Sequence, residues 1–208
     1  MKKRLVIIGA SALGRKTCNY ARDCGEFDVV GFLDDRPGIL DGLEGYPPII
    51  CSPDNYEPRP DDFFVCAVGS CQQREKFVRA MEAKGGRFVS IIHPTAHIGP
   101  HVRLGVGCIV CPEAFLDCDI EVGEHVILNV RSFVAHDCRL ADFVMLSPGD
   151  SMAGRCKVGA RAFLGIGVIC KPDVTIGADA MVGAGAVVIH DIPDGATAVG
   201  NPARPLTR

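Results

Sequence analysis

The chain has 208 residues, 25 acidic against 22 basic side chains and a net charge of −3, enough length for one or two domains. That balance argues against a nucleic-acid surface, because phosphate binding needs a basic face. Eleven cysteines, an odd number scattered singly, fit reduced thiols in a cytoplasmic protein better than a disulfide framework.

After Met1-Lys2-Lys3-Arg4 the apolar run Leu5–Ile8 stops short of a signal-peptide core, and no stretch is long enough to span a bilayer. Arg4–Ile8 reads as a strand running into Gly9-Ala10-Ser11-Ala12-Leu13-Gly14, followed by a helix from Arg15 to Cys24. A second strand, Asp28–Leu33, ends in Asp34-Asp35. Strand, glycine turn, helix and strand with a distal acidic pair suit a nucleotide. Its phosphates sit on backbone N–H groups at the helix N-terminus, and a carboxylate meets ribose or base. The plain alternative is a small βαβ fold with ordinary turn glycines and a solvated Asp-Asp.

Residues 36–61 hold many prolines around a short strand at Ile49-Ile50. Phe63–Val68 reads as a buried strand closed by Gly69-Ser70, then a helix Gln72–Lys84 leads to a strand Phe88–Ile92. Alternating strands and helices predict a parallel sheet. Residues 1–90 thus form a small Rossmann-like βαβ domain, better matched to a mononucleotide or nucleotide-sugar than to a dinucleotide.

From Ile92 the pattern changes to a period of six. Apolar stops fall at Ile92, Ile98, Leu104, Val110, Leu116, Val122, Leu128, Val134 and Leu140, and continue through Leu146, Met152, Val158, Leu164, Cys170, Ile176, Val182 and Val188. Neither a helix nor a simple strand sustains that period; a parallel β-helix of hexapeptide repeats does. Residues 91–208 form this second domain, so the fold class is α/β plus all-β.

Three hexads make one triangular coil, so residues eighteen apart share a column at about 4.8 Å spacing. One outward column reads Ile91, Ile109, Ile127, Met145, Phe163, Met181; the next reads His97, Phe115, Phe133, Ser151, Ile169, Val187. The third reads Arg103, Glu121, Arg139, Lys157, Thr175. Two apolar faces and one charged face predict a homotrimer of β-helices lying side by side. The alternative cover, the chain's own N-terminal domain, would hide one face.

His93, His97 and His101 have the spacing of helical metal ligands, but Pro94, Gly99 and Pro100 exclude a helix, so no metal site is expected. Cys108 and Cys111 form a C-x-x-C in which Cys108 points inward and Cys111 lies at a corner, unsuited to a metal or redox pair. His136 has Gly154 one coil away in the column Cys118, His136, Gly154, Pro172, His190. A neutral imidazole beside an unobstructed backbone N–H is a general base with an oxyanion site. Asp137 orients the ring, unless it pairs instead with Arg155 in an outer salt ladder. Cys118 is a weaker candidate, as a thiolate nucleophile.

The segment Asn129-Val130-Arg131-Ser132-Phe133-Val134-Ala135-His136-Asp137-Cys138 resembles the catalytic stretch of the sialic acid O-acetyltransferase family of hexapeptide sugar acyltransferases. It is most similar to the branch that N-acetylates nucleotide-linked 4-amino-sugars of the bacillosamine type. Phe32-Leu33-Asp34-Asp35, the Ile92-His93-Pro94 junction and the tail Val199-Gly200-Asn201-Pro202-Ala203 share the pattern.

The resemblance implies a left-handed, trimeric β-helix and acetyl-CoA-dependent acyl transfer without metal. It gives His136 the role of general base, Asp137 that of its support, and the Gly154 backbone that of thioester contact, with Asn129 beside the same pocket. Acetyl-CoA would lie between neighbouring subunits against Ile166, Gly183, Ala184 and Gly185. The nucleotide-amino-sugar would bind the N-terminal domain through Gly9, Ser11, Asp34, Asp35 and Gly69. Two positions depart from the family pattern: Met145, at a cofactor-contact position where relatives often have histidine, and Asp150, inward where relatives usually have alanine. Asp150 lies one coil beyond Ser132 and is expected to hydrogen-bond there. The competing functions are O-acetylation of a sialic acid or serine hydroxyl, a non-enzymatic nucleotide-binding trimer, and a metal-dependent lyase.

Overall fold

The computed structural model describes residues 2–206 and divides into two compact units, one ending at Pro94 and one beginning at Thr95. In the first, β1 (Lys3–Ile8), β2 (Phe27–Leu33), β3 (Ile49–Cys51), β4 (Asp62–Cys66) and β5 (Arg87–Phe88) form a sheet in the order β3-β2-β1-β4-β5. All its pairings are parallel. Leu5, Val6, Ile7 and Ile8 are fully buried, as a strand enclosed on both faces requires.

Helix α1 (Ala12–Cys24) follows β1, and helix α2 (Cys71–Ala83) follows β4. Helix α1 starts three residues earlier than its apolar pattern suggests, because Gly9 at φ +94° turns the chain at the strand end and Ser11 enters the helix from extended backbone. It ends at Gly25 in the left-handed conformation. The Ser70 hydroxyl accepts from Gln73 N at 3.4 Å and caps α2. The expected strand Phe88–Ile92 is interrupted, with Arg87–Phe88 and Ile91–Ile92 as separate short strands.

A buried carboxylate secures the entry edge of this sheet. Asp62 accepts from Arg4 Nε at 2.7 Å, Tyr56 OH at 2.7 Å and Arg59 N at 2.9 Å. Burial pushes this carboxyl up, but the three donors outweigh it and hold it below the ordinary carboxylate range.

The second unit is a β-helix. Two-residue strands recur every six residues and pair in parallel with the strand eighteen residues on, as Phe115 with Phe133 and Phe133 with Ser151. The inward residues of successive coils, among them Leu116, Val134, Met152, Cys170 and Val188, are buried in one continuous core. Corner residues take a left-handed φ at the same period: Asp119, Arg131, Asp137, Phe143, Arg155, Arg161 and Asp173 all lie between +56° and +65°. Cross-coil ion pairs tie several corners together on the outside, Arg131 to Glu113 at 2.6 Å, Arg155 to Asp173 at 2.6 Å and Arg161 to Asp179 at 2.7 Å.

The outward columns depart from expectation in one respect. Ile91, Ile109 and Ile127 are fully buried in the single chain, so that stretch of the first apolar column is not free for a second copy. The other column does face outward, with Phe115 38 %, Phe133 39 % and Ile169 50 % exposed. Cys111, expected at a corner, is buried together with Asn129 and Ser147 of its column.

Candidate active site

In the first unit, a cleft of about 600 Å³ opens at the carboxyl ends of β1, β2 and β4. This is where the strand order reverses and ligands of such sheets bind. It gathers Gly9, Ser11, Asp34, Asp35 and Gly69, the five residues named for the nucleotide, and adds Arg36, Ser70, Gln73 and Lys76. Both helices present their N-termini here, α1 through Ser11 and α2 through Ser70, which suits an anion. Gly14 packs the first turn of α1 against the strand end, since a Cβ there would run into the Gly9 carbonyl.

The two aspartates of the cleft differ. Asp34 is buried, accepts from Ala10 N at 2.9 Å and Arg36 N at 3.1 Å, and forms a bidentate pair with the Arg36 guanidinium at 2.9 and 3.1 Å. Burial pushes its carboxyl up, but Arg36 and the Ala10 amide outweigh that and hold it below the ordinary range. Asp34 therefore shapes the turn, while Asp35 is exposed. Sequence reasoning missed Arg36, whose only signal was a basic residue directly after the acidic pair, and Lys76, which lies one turn inside α2.

In the β-helix, His136 and Asp137 occupy the corner between the Phe133 and Arg139 strands. The left-handed φ of 60° at Asp137 turns the chain so that its carboxylate reaches back to His136, with Nδ1 and Oδ2 2.7 Å apart. With Nδ1–H donating to Asp137, Nε2 carries the free lone pair. On the next coil, a Cβ at Gly154 would lie 2.6 Å from Cε1 and Nε2 of the ring. Among the described residues, the Gly154 N–H has no acceptor.

The outer-ladder alternative fails, because Arg155 forms a bidentate pair with Asp173 at 2.6 and 2.8 Å and leaves Asp137 to the imidazole. Cys118 is no thiolate: a hydrogen bond with Asp119 and the carboxylates around it push its thiol up.

The remaining named residues lie elsewhere. Asn129 is 2 % exposed and donates from Nδ2 to the Leu146 carbonyl at 3.3 Å, so its amide is spent within the core. Met145 lies part-buried on the first face. Ile166, 62 % exposed, stands with Ala184 at the corner between the Phe163 and Ile169 strands, beside Gly183. That corner is a different edge of the prism from the one bearing His136 and Gly154, and one protomer does not bring the two together.

Asp150 does not bond to Ser132. Its Oδ2 accepts from Ser147 N at 2.6 Å and its Oδ1 from Val168 N at 2.9 Å, whereas the Ser132 hydroxyl is buried without a partner among the described residues. Among the described residues no group of His, Cys, Asp or Glu converges as a metal site, and no helix is long and apolar enough to cross a membrane.

The PglD N-terminal domain family matches residues 4–81. No curated protein sequence matches the chain. Among solved structures, the acetyltransferase domain of PglB from Neisseria gonorrhoeae is 32 % identical, with a TM-score of 0.92 over 99 % of this chain and 100 % of that one. PerB from Caulobacter crescentus, solved with CoA and GDP-perosamine, is 35 % identical, with a TM-score of 0.90 over 98 % and 97 % of the two chains. WeeI from Acinetobacter baumannii is 31 % identical, with a TM-score of 0.87 over 97 % and 99 %. Whole-length similarity at this level, joined to the cleft and the His136 corner, shows that the chain belongs to the hexapeptide-repeat sugar acetyltransferases of the bacillosamine and perosamine type.

Proposed function

We propose that this chain transfers the acetyl group of acetyl-CoA to the amino group of a nucleotide-linked amino-sugar, acting as a homotrimer in the cytoplasm. The observation that carries the chemistry is the His136 corner. Its imidazole is oriented by Asp137 at 2.7 Å, and its free Nε2 faces a glycine that leaves room beside it. Acetyl-CoA supplies the thioester. His136 Nε2 takes a proton from the attacking amine as the new C–N bond forms, and Asp137 stabilises the imidazolium that results. The Gly154 N–H donates to the carbonyl oxygen as it gains charge, and the C–S bond breaks with departure of the CoA thiolate.

The trimer is supported by two features. The outward column of Phe115, Phe133 and Ile169 is apolar and exposed, which a closed three-fold assembly would cover. In addition, Ile166 and Ala184 lie on a different edge from His136, so a donor touching both needs a neighbouring copy to bring the second edge alongside. The cleft of the first unit, with two helix N-termini and the Asp34–Arg36 pair, suits a nucleotide diphosphate.

Relatives of this architecture are named for the same chemistry. PerB was solved with CoA and GDP-perosamine, and the gonococcal domain with acetyl coenzyme A.

The test is an acceptor panel of nucleotide-linked amino- and hydroxy-sugars with acetyl-CoA, following release of the CoA thiol. Thiol release with amino-sugars that vanishes in His136→Ala is expected. Turnover confined to hydroxyl acceptors, or unchanged in His136→Ala, overturns the reading.

A further inference from the structure

The corners of the β-helix are pinned in two different ways. On two of the edges, cross-coil ion pairs hold successive corners: Arg155 with Asp173 on one and Arg161 with Asp179 on the other. On the edge that carries Ile166 and Ala184, the left-handed position is glycine on three successive coils, Gly149, Gly167 and Gly185, at φ of 74°, 73° and 69°. Nothing lies within 4 Å of a Cβ placed on any of the three. The Arg131–Glu113 pair holds the two coils before them on this edge, but among the described residues no such outward pair restrains the three glycines, the residues with the most backbone freedom.

Its restraint comes from inside. Asp150 is fully buried in the prism, where the neighbouring residues of its column, Ser132 and Val168, are a small hydroxyl and a hydrocarbon. Its two carboxyl oxygens each take one backbone amide. Oδ2 accepts from Ser147, just before the Pro148-Gly149 corner, and Oδ1 accepts from Val168, just after the Ile166-Gly167 corner. One side chain therefore spans two consecutive corners of the glycine edge.

A carboxyl group in an apolar core is costly, and among the described residues no cation faces it. The titratable group beside it is Cys170, whose thiol is itself pushed up by burial. A residue that breaks a packing rule so plainly marks a place where function outweighs stability.

We propose that Asp150 is a positioning residue for the acyl donor, an internal clamp that fixes the glycine edge at Gly149 and Gly167 in the shape against which acetyl-CoA lies. This rests on the reading above that the Ile166 edge receives acetyl-CoA. An outward ion pair would fill the very surface the donor needs, and an inward carboxyl group fixes the same backbone while leaving that surface open.

The experiment compares wild type, Asp150→Ala and Asp150→Asn in acetyl-CoA binding by titration calorimetry, in KM for each substrate, and in thermal melting. The expected result is a rise of roughly ten-fold in Kd and KM for acetyl-CoA in Asp150→Ala, the scale of a misplaced binding surface. The acceptor KM should stay within about two-fold of wild type and melting should remain cooperative. Asp150→Asn, which keeps one acceptor oxygen, should lie between. If wild type binds acetyl-CoA and both folded variants bind it equally well, the clamp is disproved while the function stands. If wild type itself fails to bind acetyl-CoA, the functional reading falls and the clamp with it. Equal losses in both substrates, or loss of cooperative melting in both variants, reduce Asp150 to a structural residue and overturn the proposal.

Discussion

The Gly154 backbone and the His136 imidazole occupy one notch on neighbouring coils: a methyl group at position 154 would stand 2.6 Å from both Cε1 and Nε2 of the ring. Backbone and ring cannot both keep their places if position 154 gains a side chain. Gly154→Ala is therefore expected to push the imidazole away from its Asp137 partner and lower kcat by about 100-fold, the scale of a small misplacement at a reacting centre. A crystal structure of the variant should show the ring rotated out; an unmoved ring with wild-type turnover refutes the notch.

In the proposed reaction His136 takes the proton. Replacing it with alanine removes the base and only modest packing, since the ring is part-exposed. The expected effect is a drop in kcat of about 10²- to 10⁴-fold, with KM for both substrates little changed. Asp137→Asn should give a smaller loss, because the amide can still orient the ring but stabilises its charged form less. Steady-state kinetics on the two variants check the ordering, and equal losses would place the two side chains in the same role.

The proposed trimer would be built on the apolar column Phe115, Phe133 and Ile169. A charge on this column, Ile169→Glu, should give monomers in analytical ultracentrifugation and abolish turnover, with the monomer still folded by circular dichroism. A trimer that survives this substitution moves the interface to another face.

These sites differ in how far the sequence exposed them. The β-helix was fully legible, because a period of six writes the inward residue, the corner and the column directly into residue numbers; the His136–Gly154 pairing followed from simple addition of eighteen. The cleft of the first unit was legible as a layout of strand, turn and acidic pair, but the division of labour between Asp34 and Asp35 was not. It depends on Arg36 folding back over Asp34, a side-chain choice with no periodic signature. The hydrogen bonds of Asn129 and Asp150 were not legible, for a related reason. The column rule says which residues are neighbours but not which backbone group a polar side chain will choose: Asn129 took the Leu146 carbonyl, and Asp150 the Ser147 and Val168 amides. The buried Ile109 and Ile127 show the same limit, since the repeat specifies an outward direction without saying what lies beyond it.

Asp34 makes acid stability a probe of the cleft. Its carboxyl is held below the ordinary range, so its stabilising effect is present above the unfolded value of about 3.9. That effect is lost as pH falls through the lower folded value. Asp34→Asn should destabilise the protein at neutral pH by about 1–3 kcal/mol, as expected when a buried hydrogen-bonded charge loses its match. Its melting temperature should also fall less steeply than wild type below about pH 4. Urea denaturation at neutral pH and melting curves in acid measure the two effects, and a variant as stable as wild type would show that the Arg36 clasp adds nothing to the fold.

Asp150 titrates with the opposite sign. Burial pushes its carboxyl up to about 8, against the pull of the Val168 and Ser147 amides, while the unfolded carboxyl ionises near about 3.9. Between those values the native state holds a proton that the unfolded chain has released, so the folded state is favoured by this group at low pH and loses that advantage as pH rises toward about 8. Asp150→Ala removes the group and leaves every other titration in place. The melting temperature of the variant minus that of wild type should therefore increase steadily from pH 5 and level off once the pH passes about 8. A difference that stays constant across that range would mean the carboxyl is already ionised at low pH, with the two amides rather than burial governing its charge.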